Sequence, residues 1–196
     1  LLEPSFLFGG YPPRELRGKF LMAQPSSPRP LTPEALPAGM TMFPLPGHFF
    51  GMVGFATDDG VCFLADCLSG ENILEKYHVS FIYDVAAYLE TLDRVEQMQA
   101  RLFVPAHAAA AADIRPTVHA NRAKVQEVAA RITELCSAPQ SFEQVLQQLF
   151  KSYGLAMDFA QYVLVGSTVK SYLAWLHDTG RLEARFEDSR LLWQAV

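Results

Sequence analysis

Residues 46–66 read Pro46-Gly47-His48-Phe49-Phe50-Gly51-Met52-Val53-Gly54-Phe55-Ala56-Thr57-Asp58-Asp59-Gly60-Val61-Cys62-Phe63-Leu64-Ala65-Asp66. Two apolar runs, Gly51 to Ala56 and Val61 to Ala65, are joined by Thr57-Asp58-Asp59-Gly60. Asp-Gly between such runs predicts a β-hairpin, because glycine takes the positive φ that the turn demands. Two polar side chains bracket the hairpin: His48 ahead of its first strand, and Asp66 where its second strand runs out.

Working outward, Met40 to Leu45 predicts a further short strand, with Pro44 near its end. Downstream, residues 84–98 predict a helix. Asp84 is its N-cap, and Val85, Tyr88, Leu89, Leu92, Val95 and Met98 keep the i, i+3/i+4 rhythm of one buried face. Leu102 to Val104 predicts a brief buried strand ending at Pro105-Ala106-His107, and a long helix follows from about Ile114 to Cys136. Hairpin, helix, strand and helix in this order predict an α+β layer arrangement around a mixed sheet.

The flanks differ in style. Ten of the 13 prolines fall in residues 1–46, so residues 1–38 predict an extended segment that needs a partner surface to order it. After Ser137-Ala138-Pro139, Ser141 with Gln144 forms a capping box that starts a helix. A second helix is expected over about Ser167 to Thr179, stopped by Gly180. Leu182 to Phe186 and Leu191 to Ala195 then predict a hairpin around Asp188-Ser189. Helices followed by a two-stranded wing outline a winged-helix-like tail over residues 137–196, beside a main unit over residues 1–136.

Composition bounds the function. The chain has 196 residues, is 50% hydrophobic and 19% charged, and carries a net charge of −5. Disorder is the opposite profile. No stretch approaches the roughly 18 uninterrupted apolar residues of a membrane-crossing helix. The acidic balance offers no field for nucleic acid, and residues 137–196 hold five Lys/Arg against six Asp/Glu, with Lys170 the clear cation of the second helix. Three cysteines (Cys62, Cys67 and Cys136) make no disulfide framework and fit a reducing cytoplasm. The chain opens on Leu, without the charged and apolar regions of a signal peptide, and reads as beginning inside a longer protein.

His48, Asp66 and His107 each stand where an apolar strand meets a loop, the usual place for sites on layered folds. Two imidazoles and one carboxylate can make a three-ligand face on a divalent metal, which lowers the pKa of a bound water to roughly 7. Such donors suit zinc first, with iron or manganese as alternatives. Cys67 beside Asp66 reads as a small residue filling space. His78 and Tyr77 lie in the stretch between Asp66 and the next helix, which reads as an exposed loop.

Taken in order, Pro46-Gly47-His48 with Gly51 and Gly54, then Asp59-Gly60, Phe63-Leu64-Ala65-Asp66, Tyr83 to Glu90 and Val104-Pro105-Ala106-His107 resemble the second half of the metallo-β-lactamase superfamily. The resemblance covers roughly residues 38–135. It implies part of an αββα sandwich and a hydrolase in which metal-activated water attacks an ester, thioester or phosphoester-like bond of a small-molecule substrate. It implies His48 as a ligand of one metal, Asp66 as the shared and catalytic carboxylate, His107 as a ligand of the second metal, and a loop holding Tyr77 and His78 that borders the substrate pocket. The family's His-x-His-x-Asp-His motif has no counterpart in this chain, position 106 is Ala where Gly is commoner, and Phe49-Phe50 follow the His turn. Half a sandwich leaves one sheet face bare, so a second copy or the other half is expected to cover it. The alternative is a non-catalytic scaffold that keeps the fold.

Overall fold

A computed structural model describes residues 2–18 and 26–196. Four strands, β1 (Met40–Pro44), β2 (Val53–Thr57), β3 (Val61–Phe63) and β4 (Leu102–Val104), form one sheet in the order β1-β2-β3-β4. The first three are antiparallel neighbours and β3 runs parallel to β4, so the sheet is mixed as expected. The β2–β3 turn closes as the Asp-Gly signal requires: Gly60 has φ +83° and its N–H donates to Thr57 O at 2.9 Å.

The parallel β3–β4 pair requires a crossover, and residues 71–97 supply it as two helices, α2 (Glu71–Tyr77) and α3 (Val85–Gln97). Helix α3 starts as predicted, with the Asp84 side chain accepting from Ala87 N–H at 3.0 Å. Helix α4 (Arg115–Leu135) follows β4 and packs against α3. Together they cover the sheet face that carries Cys62, Ala56, Phe43 and Phe103.

The other face is different. Side chains alternate across a strand, and the register sets Met42, Phe55, Phe63 and Val104 in one row on that side, beside Met40, Val53, Val61 and Leu102. All eight are partly or fully exposed, Phe63 at 41%. An apolar face of this size is rare on a finished surface.

The tail contains α5 (Phe142–Ser152), α6 (Phe159–Asp178) and the hairpin β5 (Leu182–Glu187) with β6 (Arg190–Ala195). The Ser141–Gln144 capping box is formed, and Asp188 and Ser189 both take positive φ at the hairpin turn. Gln140 pairs with Trp193, adding a third short strand contact to the wing. One continuous core runs from Leu45 and Leu64 through Leu92 and Ile132 to Leu173 and Leu182, so the tail shares its interior with the sheet-and-helix unit.

Three segments differ from expectation. Helix α6 begins eight residues earlier than Ser167, capped by Asp158, whose side chain accepts from Gln161 N–H at 2.7 Å. Residues 71–77 are helical, so Tyr77 ends a helix and His78 caps it with φ +53°, where a loop was expected. Within the proline-rich opening, residues 2–8 form a short helix, α1 (Leu2–Phe8), and Arg14–Arg17 form a 3-10 turn. Pro4 lies in the first turn of α1, where no helical N–H is needed. Leu7 and Leu16 are buried against Val163 of α6, the partner surface that orders this segment. The remainder of the extended expectation falls partly on residues 19–25, outside the described residues.

Candidate metal and substrate site

The turn that carries His48 is fixed by its neighbour. Gly47 has φ +114°, and a Cβ there would lie 2.3 Å from the Tyr88 backbone, so α3 passes directly against the turn. Gly47 O accepts N–H groups from Tyr83 (3.0 Å) and Asp84 (2.9 Å), tying the turn to the start of α3. Thr91, fully buried, donates its hydroxyl to Pro46 O at 2.7 Å.

Asp66 sits in a one-turn 3-10 segment that follows β3, entered through Ala65 at φ +46°. This is left-handed backbone that a residue with a Cβ adopts at some cost, and it is held from β4's side. Leu64 N–H donates to Val104 O (3.0 Å), Ala106 N–H to Ala65 O (2.8 Å), and Gly70 N–H to His107 O (2.8 Å). The β3–β4 pairing thus continues past the strand ends and sets Asp66 beside His107.

The three side chains meet. His107 Nε2 lies 3.6 Å from Asp66 Oδ1, and His48 Nε2 lies 3.9 Å from Asp66 Oδ2. Both separations exceed hydrogen-bond range. Each carboxylate oxygen faces a different imidazole. Among the described residues no group of three or more His, Cys, Asp and Glu side chains is arranged to hold a metal ion. The three-ligand face that residue types and spacing allowed is therefore not formed among the described residues; each imidazole instead stands near one oxygen of the same carboxylate. Ligands about 2.0–2.2 Å from a zinc ion stand roughly 3.3–3.6 Å apart across a tetrahedral edge. The His107–Asp66 pair fits that edge, and the His48–Asp66 pair is a few tenths of an ångström wider.

Electrostatics favour neutral imidazole at His48. Desolvation of the ring holds it below its ordinary value, aided by the second imidazole of His107 and opposed by the Asp66 carboxylate. Neutral imidazole is the form that binds metal. Cys67, directly after Asp66, is fully buried; desolvation and then the Asp66 charge push its thiol up to about 12, which keeps it protonated and inert.

The other candidates lie elsewhere. His78 stacks on Tyr153 of the tail, with ring centroids 4.6 Å apart and planes at 15°, and its Nδ1 is buried without a hydrogen-bond partner among the described residues. Tyr77 is exposed beneath the Lys76 ammonium. His119 pairs with Glu96 at 2.6 Å on the surface, and His177 Nδ1 lies 3.1 Å from Leu182 O at the end of α6. The cavity that contains His48 and Asp66 has a volume of about 510 Å³ and is lined by Leu7, Phe49, Phe50, Met52, Phe81 and Leu164, with Glu3 also among its lining residues. Neither Tyr77 nor His78 is among its lining residues.

Sequence reading missed Asn121. It is 2% exposed and lies on the apolar face of α4, three residues after Val118. Its amide donates to Ser69 O (2.8 Å) and Thr117 O (2.8 Å), and its oxygen accepts from Ser69 N–H (3.1 Å) and Tyr88 O–H (3.2 Å). Ser69 in turn bridges to His107, so Asn121 holds the backbone on which that imidazole stands. The signal was an unexplained polar residue in a buried stripe.

Comparison with known proteins agrees with this architecture. No family model and no curated protein matches the chain. Among solved structures it is similar to a metallo-beta-lactamase family protein from Thermus thermophilus, with a TM-score of 0.72 and 19% identity, over 98% of this chain and 62% of that one. It is also similar to a beta-lactamase domain protein from Burkholderia ambifaria, with a TM-score of 0.67 and 19% identity, over 89% of this chain and 54% of that one. The chain has the metallo-β-lactamase fold, and it spans 62% and 54% of the length of these two proteins.

Proposed function

We propose that this chain carries part of the metal-binding centre of a metallo-β-lactamase-fold hydrolase acting on an ester, thioester or phosphoester-like bond of a small molecule. The observation that carries the reading is the Asp66 carboxylate, with one oxygen toward His107 and the other toward His48. That is the donor geometry for a carboxylate shared between two divalent ions. His48 and Asp66 would hold one ion and Asp66 and His107 the other, with zinc the best match to two imidazoles and a carboxylate, and iron or manganese next. When bound, such ions supply Lewis-acid activation of water near neutral pH. The protein's part is to present neutral imidazole at His48, to brace Asp66 and His107 through the extended β3–β4 pairing, and to line one side of the site with apolar side chains.

Two donors per position leave coordination to be completed by other groups. The bare sheet face supports the same reading, since Phe55, Phe63 and their neighbours call for a second apolar layer. We propose that a second sheet covers it, from further chain of the same protein or from a second copy. The test is metal content per chain by elemental mass spectrometry, for the wild type and for Asp66→Ala. Bound metal that falls by half or more on removing Asp66 supports the reading. Equal metal in the two, or none in a folded wild type, overturns it. The second outcome favours a scaffold that keeps the fold without metal chemistry, a reading supported by the lack of a three-donor group among the described residues.

A further inference from the structure

The cavity at His48 has a chemistry of its own. Four ring-bearing residues line it, His48, Phe49, Phe50 and Phe81, and a chain of ring contacts continues from them outside the cavity through Tyr83 to Phe6. Phe81 meets the His48 ring edge-on at 5.6 Å and lies 6.1 Å from Phe49. Phe49 lies 4.2 Å from Phe50, Phe50 4.7 Å from Tyr83, and Tyr83 5.9 Å from Phe6 of α1. Leu7 of α1 and Leu164 of α6 also line the cavity. Among the described lining residues, the formal charges are the carboxylates of Asp66 and Glu3, His48 is the group that could become cationic, and none is Lys or Arg. A phosphoester carries negative charge along its length and is held, besides any metal ions at the reacting atoms, by Arg, Lys or a row of N–H groups around it. This wall offers rings and methyl groups.

We infer that the cavity binds the hydrophobic arm, an acyl chain or aryl group, of a carbonyl-centred substrate whose reacting carbonyl rests near His48 and Asp66. This names the substrate class of the hydrolase reading above and rests on it for the word substrate; recognition of the arm itself needs only the cavity. A volume of about 510 Å³ is within the range of small-molecule sites, which are apolar with few polar groups. Phe50, 51% exposed, sets one wall of the cavity and is itself backed by Phe6 (5.4 Å) and Tyr83 (4.7 Å).

The test uses neutral probes, so that charge does not enter. Primary amides from butyramide to octanamide are titrated into the chain and followed by two-dimensional amide NMR. Affinity should rise about threefold to fourfold with each added methylene, with the largest shifts at Phe49, Phe50, Phe81 and Leu164. Phe50→Ala, on an exposed ring whose loss leaves the core intact, should weaken octanamide binding about tenfold. Affinity that does not rise with chain length, shifts centred on Phe55 and Phe63 of the open sheet face, or tighter binding of phenyl phosphate than of octanamide would each overturn the proposal. The metal content of the wild type separates the two ideas: chain-length-dependent amide binding in a folded wild type that holds no metal refutes the hydrolase and leaves the pocket standing, whereas affinity that ignores chain length in a wild type whose metal is lost on Asp66→Asn refutes the pocket alone.

Discussion

Replacing Asn121 by Ala tests whether the site is braced from beneath. In the wild type its side chain makes four hydrogen bonds in a buried position, joining α4 to Ser69 and to the Tyr88 hydroxyl. Thr117 O is a helix carbonyl and loses least. Ser69 N–H and Tyr88 O–H lose their acceptor, and each buried donor left unpaired costs about 1–3 kcal/mol. A loss of about 3–5 kcal/mol in urea denaturation is expected, which is large against the stability of an ordinary domain. The pairwise part can be isolated. Tyr88→Phe should cost about 1 kcal/mol in the wild type and restore about 1 kcal/mol or more once Asn121 is gone, because it then removes a buried hydroxyl left without its acceptor. Ser69 bridges to His107, so the His107 imidazole resonances should shift or broaden in Asn121→Ala and stay in place in Tyr88→Phe. A destabilisation below about 1 kcal/mol, or an equal cost for Tyr88→Phe in both backgrounds, refutes the bracing argument.

Three more outcomes are expected. Gly47→Ala brings a Cβ within 2.3 Å of the Tyr88 backbone at φ +114°, so it should cost about 3 kcal/mol or more by denaturant midpoint; a variant within about 0.5 kcal/mol of wild type contradicts the reading. Burial pushes the Cys136 thiol up to about 11, so the folded chain holds its proton while the unfolded chain releases it above about 9. Stability should therefore fall as pH rises from about 9 toward 11, by up to about 1.4 kcal/mol per pH unit for this group, and Cys136→Ala should remove that share of the slope. Phe63→Glu places a charge on the open sheet face; sedimentation should show wild type associating with concentration and the variant staying monomeric with unchanged circular dichroism, and equal association in both rules out that face.

Much of this fold is written locally. The Asp59-Gly60 turn, the Asp84 cap and the Ser141–Gln144 box are short-range devices, and each element they open is present. Helix α2 escaped because Gly70 caps it without a side chain and because only Leu74 in its seven residues is buried. The first turns of α6 escaped for the opposite reason. Phe159-Ala160-Gln161-Tyr162-Val163-Leu164-Val165-Gly166 is apolar nearly all round, so periodicity is weak, and Gly166 there is packing, since a Cβ would stand 3.3 Å from Phe142. The three candidate site residues were legible because each stands in a loop beside a strand, and the structure brings them together. Their supports were not: Asn121, Thr91 and Gly47 act on backbone groups 45 to 52 residues away or on a helix that passes overhead. Nothing in local sequence announces such contacts.

The ends of the sheet differ from its open face. Beyond β4, Phe103 exchanges two hydrogen bonds with Ala111, at 2.8 and 3.0 Å, so a loop of the same chain occupies the positions an added strand would take. At the opposite margin, β1 is five residues long and finishes on Pro44, which has no N–H to offer. Growth of this sheet sideways, the route by which exposed strands polymerise into fibres, is thus obstructed at both margins while its flat surface remains adhesive. Whatever joins this molecule must stack upon it as a layer, and misassembly should yield discrete face-to-face pairs rather than ribbons.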